Sequence, residues 1–273
     1  MVAQPCRPHA HGPSLRQLLA SLACAVALGA ARAPASREAA QGRQPVVIRG
    51  HEQTLYLYGS PDGYPVLVSS GDGGWIHLAP HAAEVLAAHG FFVAGFDVKA
   101  YLTSFTSGRT TLQPGDEPRD YKVLVDAIVR GAKRKPILLG VSEGAGLSVL
   151  AATDAGTRAD LGGVIALGLP DLNELGWRWK DAVIYVTHRV PNEPTFSVAS
   201  LIGRVAPLPL AMIHSTHDEF VSVADAQRLF AQAREPKRLW LIEASDHRFS
   251  DKLGDLDRAL LEAVAWLKDR GAH

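Results

Sequence analysis

The chain has 273 residues with 28 basic and 28 acidic side chains, so its formal net charge at pH 7 is zero. No basic stripe in the sequence argues for nucleic acid, and no strong net charge argues for binding to anionic membranes. Both cysteines, Cys6 and Cys24, lie near the N-terminus. The rest of the chain therefore has no thiol for catalysis, metal binding or a disulfide.

Residues 1–33 are typical of a signal peptide. Arginines precede an uncharged run from Leu18 to Ala31, and Ala31-Arg-Ala33 has the small residues of a cleavage site. The run is shorter than the roughly 20 residues that span a bilayer. The pattern predicts an exported protein, periplasmic or secreted. A buried N-terminal helix, or a lipoprotein anchor at Cys24, is the alternative.

One domain is predicted after a polar, flexible lead-in at residues 34–44. Residues 45–273 are enough for a single α/β domain. The start of this domain has two β-prone runs, Val46–Ile48 and Thr54–Tyr58, on either side of Gly50. This arrangement predicts an antiparallel hairpin.

Beyond the hairpin, apolar runs alternate with helix-forming segments. The predicted strands are Val66–Val68, Phe92–Phe96, Ile137–Val141, Val164–Leu167, Leu210–His214 and Arg238–Ile242. The predicted helices are Leu78–His89, Tyr121–Arg130, Gly144–Thr153, Val223–Ala233 and Leu253–Arg270. This alternation predicts an α/β fold, a mostly parallel sheet with helices on both faces.

Two long connections interrupt the alternation: residues 101–119 and an insertion at about 170–209. Both follow predicted strand ends, where open α/β sheets bind ligands. Long ordered connections of this kind are usually lids or pocket walls, so we expect substrate contacts from them. Structural filler is the alternative for the second.

The segment Gly140-Val-Ser-Glu-Gly144 joins a predicted strand to a predicted helix. In a nucleophile elbow, a serine occupies such a sharp turn, and glycines two residues away admit the crowded backbone. Ser142 is therefore the predicted nucleophile.

A serine nucleophile needs a base and an acid that orients the base, which in α/β-hydrolases follow in the order Ser, Asp or Glu, His. Asp218 and His247 have this order, and each comes just after a predicted strand. The predicted triad is Ser142, His247 and Asp218. The alternatives are Glu219 or Asp246 as the orienting acid, a helix cap at Asp218, and an ordinary loop histidine at position 247.

Negative charge that develops on a reacting carbonyl oxygen needs hydrogen-bond donors. One expected donor is the backbone N–H after the nucleophile, that of Glu143. The loop Gly71-Asp-Gly-Gly-Trp75 follows the third predicted strand, and Asp72 N–H is the expected second donor. A plain glycine-rich turn is the alternative; a phosphate-binding loop would need signatures that are missing here.

No cofactor and no metal are expected. His214 and His217 flank Asp218, but no H-E-x-x-H or comparable cluster accompanies them. No nucleic acid and no obligate protein partner are expected either.

Several segments resemble the bacterial virulence protein family VirJ/AcvB, α/β-hydrolase-like periplasmic proteins. They are Ser70-Gly-Asp-Gly-Gly-Trp75, Val93-Ala-Gly-Phe-Asp97, the elbow at Gly140, and His247-Arg-Phe-Ser250. The resemblance covers most of Val66 to Trp266. It implies an exported serine hydrolase with the α/β-hydrolase fold. In some members the implied activity is cleavage of the aminoacyl ester of lysyl-phosphatidylglycerol, and others are linked to type IV secretion.

Carried over to this sequence, the resemblance implies the same triad of Ser142, Asp218 and His247. The chain departs from the family at Val141 and Glu143, where an aromatic residue and Phe are common. Glu143 places a carboxylate beside the expected oxyanion hole. That carboxylate would disfavour an anionic substrate or favour a cationic, aminoacyl one.

These patterns together predict an exported hydrolase that cleaves a small-molecule or lipid ester through an acyl-enzyme, with association at the envelope or a membrane surface left open. The residues expected to shape the acyl or head-group pocket are Lys99, Tyr101, Phe105, Trp177 and Trp179. The rival interpretation is a non-catalytic envelope or secretion-associated binding protein with the same fold. A peptidase is a third.

Overall fold

A computed structural model describes residues 41–129, 134–178 and 193–271. The predicted signal peptide, most of the predicted lead-in and Trp179 lie outside the described residues. Residues 42–44, assigned to the lead-in from sequence, pair in the first strand.

The predicted N-terminal hairpin is confirmed. Strands β1 (Gly42–Ile48) and β2 (His51–Tyr58) pair antiparallel. The two residues between them, Arg49 and Gly50, have φ values of 45° and 86°. Positive φ at both central residues is the geometry of a type I′ turn, whose twist matches that of the flanking strands.

An eight-stranded sheet forms the centre of the domain, in the order β1-β2-β4-β3-β5-β6-β9-β10. The remaining strands of this sheet are β3 (Tyr64–Ser69), β4 (Phe91–Phe96), β5 (Ile137–Val141), β6 (Gly163–Leu167), β9 (Leu210–Ser215) and β10 (Lys237–Ile242). Strand β2 also pairs antiparallel with β4. Across the rest of the sheet, β4, β3, β5, β6, β9 and β10 run parallel to one another. Parallel strands place their carboxyl ends at one edge, where the loops that carry the predicted site residues meet.

Helices cover both faces of the sheet. They are α1 (Leu78–Ala88), α2 (Val98–Ser104), α3 (Glu117–Val129), α4 (Glu143–Thr153), α5 (Ala155–Ala159), α6 (Val223–Gln232) and α7 (Leu253–Gly271). Apolar residues of α1 and α7 form one core cluster with the sheet, and those of α3 and α4 form another on the opposite face. The central strands β5 and β6 are wholly buried. Continuous apolar runs are what a strand buried on both faces requires.

The two long connections contain more regular structure than the sequence predicts. Part of the first is helix α2, whose N-cap Asp97 accepts a hydrogen bond from Ala100 N–H, and helix α3 begins at Glu117, four residues before its predicted start. The insertion contains a separate antiparallel pair, β7 (Leu172–Glu174) with β8 (Thr195–Ser197).

Candidate active site

Ser142 occupies a strained turn between β5 and α4. Its φ and ψ are 53° and −117°. A residue other than glycine rarely adopts such a conformation, which costs of order 1–3 kcal/mol and is concentrated at functional sites. The Ser142 N–H donates to the carbonyl oxygen of Leu167 at 2.8 Å, which fixes the turn against the end of β6.

Gly144, two residues after Ser142, is needed because the backbone of the loop after β3 packs directly against it. A Cβ atom at Gly144 would lie 2.3 Å from the carbonyl oxygen of Ser70 and 2.5 Å from that of Ser69. The elbow and the loop after β3 are therefore in direct backbone contact. The sequence interpretation of Gly140–Gly144 as a strand, sharp turn and helix agrees with this geometry.

Asp218 and His247 meet beyond the ends of β9 and β10. The His247 Nδ1 atom and the Asp218 Oδ2 atom are 2.5 Å apart. The Asp218 side chain has no solvent exposure, and its Oδ1 accepts hydrogen bonds from the backbone N–H groups of Phe220 and Val221. The carboxylate is thus held by three partners, one of which is the imidazole.

These contacts determine the charge of Asp218. Burial acts to raise its pKa, but the hydrogen bond and charge of His247, with the two backbone N–H groups, outweigh burial and hold the pKa below its ordinary value. The carboxylate is therefore ionised at neutral pH. An ionised acid on Nδ1 favours the tautomer with a proton on Nδ1, which leaves Nε2 free to accept one.

The two alternative acids have other partners. Glu219 Oε2 accepts a hydrogen bond from the His247 backbone N–H. Asp246 Oδ1 accepts from the backbone N–H groups of Arg248 and Ser250. Of the three carboxylates, Asp218 is the one in contact with the imidazole, while the other two shape the loop that carries it.

Ser142 and His247 converge on one cavity of about 710 Å³. A Cβ atom at Gly168 would lie 2.6 Å from Cε1 of His247, so the imidazole packs on the residue that follows Leu167, the backbone partner of Ser142. Among the described residues, Ser142 Oγ has no hydrogen-bond partner. Ser142 Oγ and His247 therefore share the cavity without a hydrogen bond between them in the described structure.

The predicted oxyanion donors lie at the same cavity. Asp72 and Glu143 both line it, beside Ser142. Glu143 is the first residue of α4, so its N–H is among those at a helix start that have no acceptor within the helix. The helix dipole favours negative charge at this point, which lies next to Ser142, the predicted nucleophile.

The Glu143 side chain is buried in an acidic environment. It is 6% exposed, and its Oε1 has no hydrogen-bond partner among the described residues. Burial, and then the charges of Glu174 and Asp72, raise its pKa well above the ordinary value, against a weaker opposing hydrogen bond from the Glu174 backbone. A raised pKa favours the neutral carboxyl, which avoids a negative charge next to the expected oxyanion.

A Glu143→Gln variant is expected to be more stable than the wild type at neutral pH. The folded state holds the Glu143 proton more tightly than the unfolded chain, so the wild type loses stability as pH rises from about 4.3, the unfolded pKa, towards the raised folded pKa. The expected gain is about 1–3 kcal/mol at pH 7 and close to zero below pH 4. Urea unfolding at several pH values measures it.

Glu117 supplies a matched control for this experiment. It is fully buried away from the cavity lining, burial raises its pKa, and both of its carboxyl oxygens have no hydrogen-bond partner within the described ranges. Glu117→Gln should show the same pH trend. A Glu143→Gln effect that does not vary with pH would contradict the assignment of a raised pKa to Glu143.

The predicted pocket residues separate into two groups. Lys99 lines the cavity, and its Nζ lies 4.2 Å from the ring centroid of Trp177, which is not itself among the lining residues. Tyr101 is instead fully buried, with its hydroxyl donating to Asp120, and Phe105 lies under the Arg49 guanidinium. The prediction that Tyr101 and Phe105 line the pocket is therefore wrong. Helix α2 turns these two aromatic side chains towards the core and the β1–β2 turn.

Three apolar side chains at the cavity are not identified by the sequence analysis. Ile76, Leu172 and Phe220 line it and are 50%, 42% and 41% exposed. Phe220 also packs edge-on against His247, with ring centroids 5.4 Å apart. Single exposed apolar residues are ordinary, but three at one mouth make an apolar rim. The segments that carry these residues are far apart in the sequence and come together only in the folded chain. The sequence therefore does not indicate the rim.

The sequence analysis also misses two further residues that line the cavity. Glu174 lies in the insertion and reaches the cavity beside Glu143. His77 lines the cavity and has a φ of 55° just before α1. A positive φ at a non-glycine residue cannot be read from the sequence.

The two histidines near Asp218 make backbone contacts. The His214 Nε2 lies 3.0 Å from the Val221 carbonyl oxygen, and the His217 Nδ1 lies 3.2 Å from that of Ala244. Within the ranges that the structure describes, no three His, Cys, Asp or Glu side chains are grouped to hold a metal ion.

Residues 64–171 match the model of a family described as Bacterial virulence protein (VirJ). This match confirms the resemblance drawn from the sequence. The matched segment contains the loop at Ser70–Trp75 and the elbow, and it ends before Asp218 and His247.

Curated relatives match a shorter part of the chain. The uncharacterized protein YfhR of Escherichia coli K12 is 37% identical over 68 residues, which are 24% of this chain and 24% of YfhR. The chain therefore matches only about a quarter of the length of these relatives.

Solved structures match most of the domain. The α/β hydrolase GrgF from Penicillium sp. sh18 has a TM-score of 0.61 at 16% identity, covering 85% of this chain and 99% of GrgF. A membrane phospholipase A described as a novel bacterial virulence factor has a TM-score of 0.62 at 11% identity, covering 83% of this chain and 86% of that chain. Such likeness, with the strand order above, establishes the α/β-hydrolase fold. No helix in the described part of the chain is long and apolar enough to cross a bilayer.

Proposed function

We propose that this protein is an exported serine hydrolase that cleaves an ester bond through an acyl-enzyme. One observation carries the proposal. The imidazole of His247 contacts the buried carboxylate of Asp218 at 2.5 Å and lies in the cavity that Ser142 lines from a strained turn. This is the arrangement that activates a serine hydroxyl in hydrolases of several folds.

In the proposed reaction, Ser142 Oγ attacks the ester carbonyl carbon while His247 Nε2 accepts its proton. The N–H groups of Glu143 and Asp72 hold the resulting oxyanion. Collapse of the tetrahedral intermediate breaks the ester C–O bond, and His247 protonates the departing alkoxide. Water then attacks the acyl-enzyme with the same base, which releases the acid and restores Ser142. The Asp218 carboxylate stays ionised throughout and stabilises the imidazolium.

The substrate class that fits best is an aminoacyl ester of a lipid, as the family resemblance implies. The cavity wall beside Ser142 contains Glu174 and Asp72, whose negative charges act on the neighbouring Glu143 and suit an ammonium group on the acyl side. The apolar rim of Ile76, Leu172 and Phe220 suits a lipid at the mouth. A cavity of about 710 Å³ is within the usual size range for small-molecule sites.

Export is proposed from the leader pattern of residues 1–33. N-terminal sequencing of the protein from a periplasmic or secreted fraction tests it. An intact N-terminus on a protein found only in the cytoplasm would contradict export.

A hydrolysis panel tests the proposed function. The substrates are an aryl ester, lysyl-phosphatidylglycerol in mixed micelles, an uncharged phospholipid and a peptide, with Ser142→Ala as the blank. The expected result is Ser142-dependent cleavage of the aryl ester and the aminoacyl lipid, with little cleavage of the peptide. If folded protein cleaves none of the four above the blank, the rival interpretation as a non-catalytic binding protein is favoured.

A further inference from the structure

Ser70 is a fully buried residue directly after β3, behind the loop that borders the nucleophile. Its Oγ donates a hydrogen bond to the Gly71 carbonyl oxygen at 3.1 Å and accepts one from the Val98 N–H at 3.1 Å. Gly71 and Asp72 line the cavity, whereas Ser70 is not among the lining residues. The Ser70 hydroxyl therefore holds the loop from its protein side.

The Gly71–Asp72 peptide is held in one orientation by these contacts. The Gly71 carbonyl oxygen also accepts a hydrogen bond from Gly74 N–H at 3.0 Å. In a trans peptide the C=O and the following N–H point in opposite directions. A Gly71 carbonyl turned towards Ser70 directs the Asp72 N–H to the other side, which is the cavity side.

This peptide lies against the nucleophile. A Cβ atom at Gly71 would lie 3.4 Å from the Ser142 Cβ and 4.0 Å from its Oγ. If the peptide rotated by half a turn, the Gly71 carbonyl oxygen would face the cavity in place of the N–H. An oxygen there would repel a developing oxyanion.

We propose that Ser70 is the positioning residue of the oxyanion hole, because its hydroxyl keeps the Gly71 carbonyl out of the cavity and the Asp72 N–H directed into it. The Val98 N–H, at the start of α2, fixes the Ser70 hydroxyl in turn. This inference rests on the proposed ester hydrolase function and adds a residue that is not among those that line the cavity.

A Ser70→Ala variant tests the inference. Removing one oxyanion donor outright costs roughly 10²–10³-fold in kcat. Losing only its orientation is expected to lower kcat by about 10–100-fold, with KM changed by less than about threefold. Phenylboronic acid, whose tetrahedral adduct with Ser142 places an oxygen in the hole, should lose affinity by a similar factor. A purely structural role would not produce this split between kcat and KM.

Ser69→Ala is the matched control. Ser69 is the neighbouring residue, equally buried, and its hydroxyl accepts a hydrogen bond from the Tyr121 hydroxyl at 2.9 Å. Its removal costs a buried hydrogen bond of the same kind without releasing the Gly71 carbonyl. It should lower stability while leaving kcat and boronate affinity near wild-type values.

The outcomes separate the two proposals. Wild-type protein without Ser142-dependent turnover overturns both. Turnover in the wild type, with Ser70→Ala matching Ser69→Ala in kcat and boronate affinity, overturns the role of Ser70 alone. If Ser70→Ala does not fold, Ser70→Cys replaces it, because a thiol is a weaker donor at the same position. A reduced kcat supports the inference, and wild-type kcat in that variant overturns it.

Discussion

Replacing Ser142 with alanine is expected to reduce ester hydrolysis to background, a loss of roughly 10⁴–10⁶-fold in kcat. The hydroxyl oxygen is the only non-hydrogen atom removed, and without it His247 has no nucleophile to activate. The hydrolysis rate of an aryl ester by purified protein measures the loss. Residual turnover within about tenfold of the wild type would contradict the assignment.

The strained backbone at position 142 provides a control that separates activity from folding. Ser142 Oγ has no hydrogen-bond partner among the described residues, so its removal should leave the unfolding temperature almost unchanged. A Ser142→Gly variant should be equally inactive but more stable than Ser142→Ala by about 1 kcal/mol, because glycine adopts a φ of 53° without strain. Lower stability in Ser142→Gly would indicate that the turn is not strained.

Asp218→Asn is the second large effect, with an expected loss of roughly 10⁴-fold in kcat. The amide keeps the size of the carboxylate but not its charge, so the imidazolium loses its stabilising partner and the preferred tautomer changes. Steady-state kinetics on the same aryl ester measure this loss. A similar KM in the variant and the wild type would place the effect in the chemical step.

The same replacement of a carboxylate by an amide at two neighbouring acids supplies the controls for Asp218→Asn. Glu219 and Asp246 accept hydrogen bonds from backbone N–H groups of the loop that carries His247. The amide oxygens of Glu219→Gln and Asp246→Asn can still accept them, so each variant should lose less than about tenfold in kcat. A larger loss in either variant than in Asp218→Asn would assign the orienting role to another acid.

The parts of the site that the sequence predicts are those with a local signature. The elbow follows from a strand, glycines around Ser142 and a helix-forming segment, all within about twenty residues. Asp218 and His247 follow from their order and from their place after apolar runs that form β9 and β10. The run in β9 is readable because a strand buried on both faces tolerates only apolar side chains. Strand β10 is a partly exposed edge strand, and its signal is the short apolar run Leu239–Ile242.

Other features depend on contacts between distant segments and have no local signature. Glu143 comes close to Glu174 only because the insertion folds back to the cavity, and its pKa is raised first by burial and then by the charge of Glu174. The contact between Ser142 and the Gly71 loop likewise depends on the pairing of β3 with β5. The sequence pattern shows neither the proximity of Glu143 to Glu174 nor that of Ser142 to the Gly71 loop.

Helix α2, in contrast, has a local signature in the sequence, its N-cap residue Asp97. Asp97 directly precedes the helix, and its side chain accepts a hydrogen bond from Ala100 N–H as an N-cap does. The pattern of residues 101–119 instead predicts a long connection that contacts substrate. As a result, it placed Tyr101 and Phe105 in the pocket, whereas the helix turns Tyr101 into the core.

Covalent labelling with a fluorophosphonate, followed by peptide mass spectrometry, is the most direct test of an activated serine. We expect the wild type to carry one adduct, on the peptide that contains Ser142. Labelling should be absent in Ser142→Ala and at least about 10²-fold slower in Asp218→Asn. Folded wild-type protein that stays unlabelled, or that carries the adduct on another residue, would contradict the account.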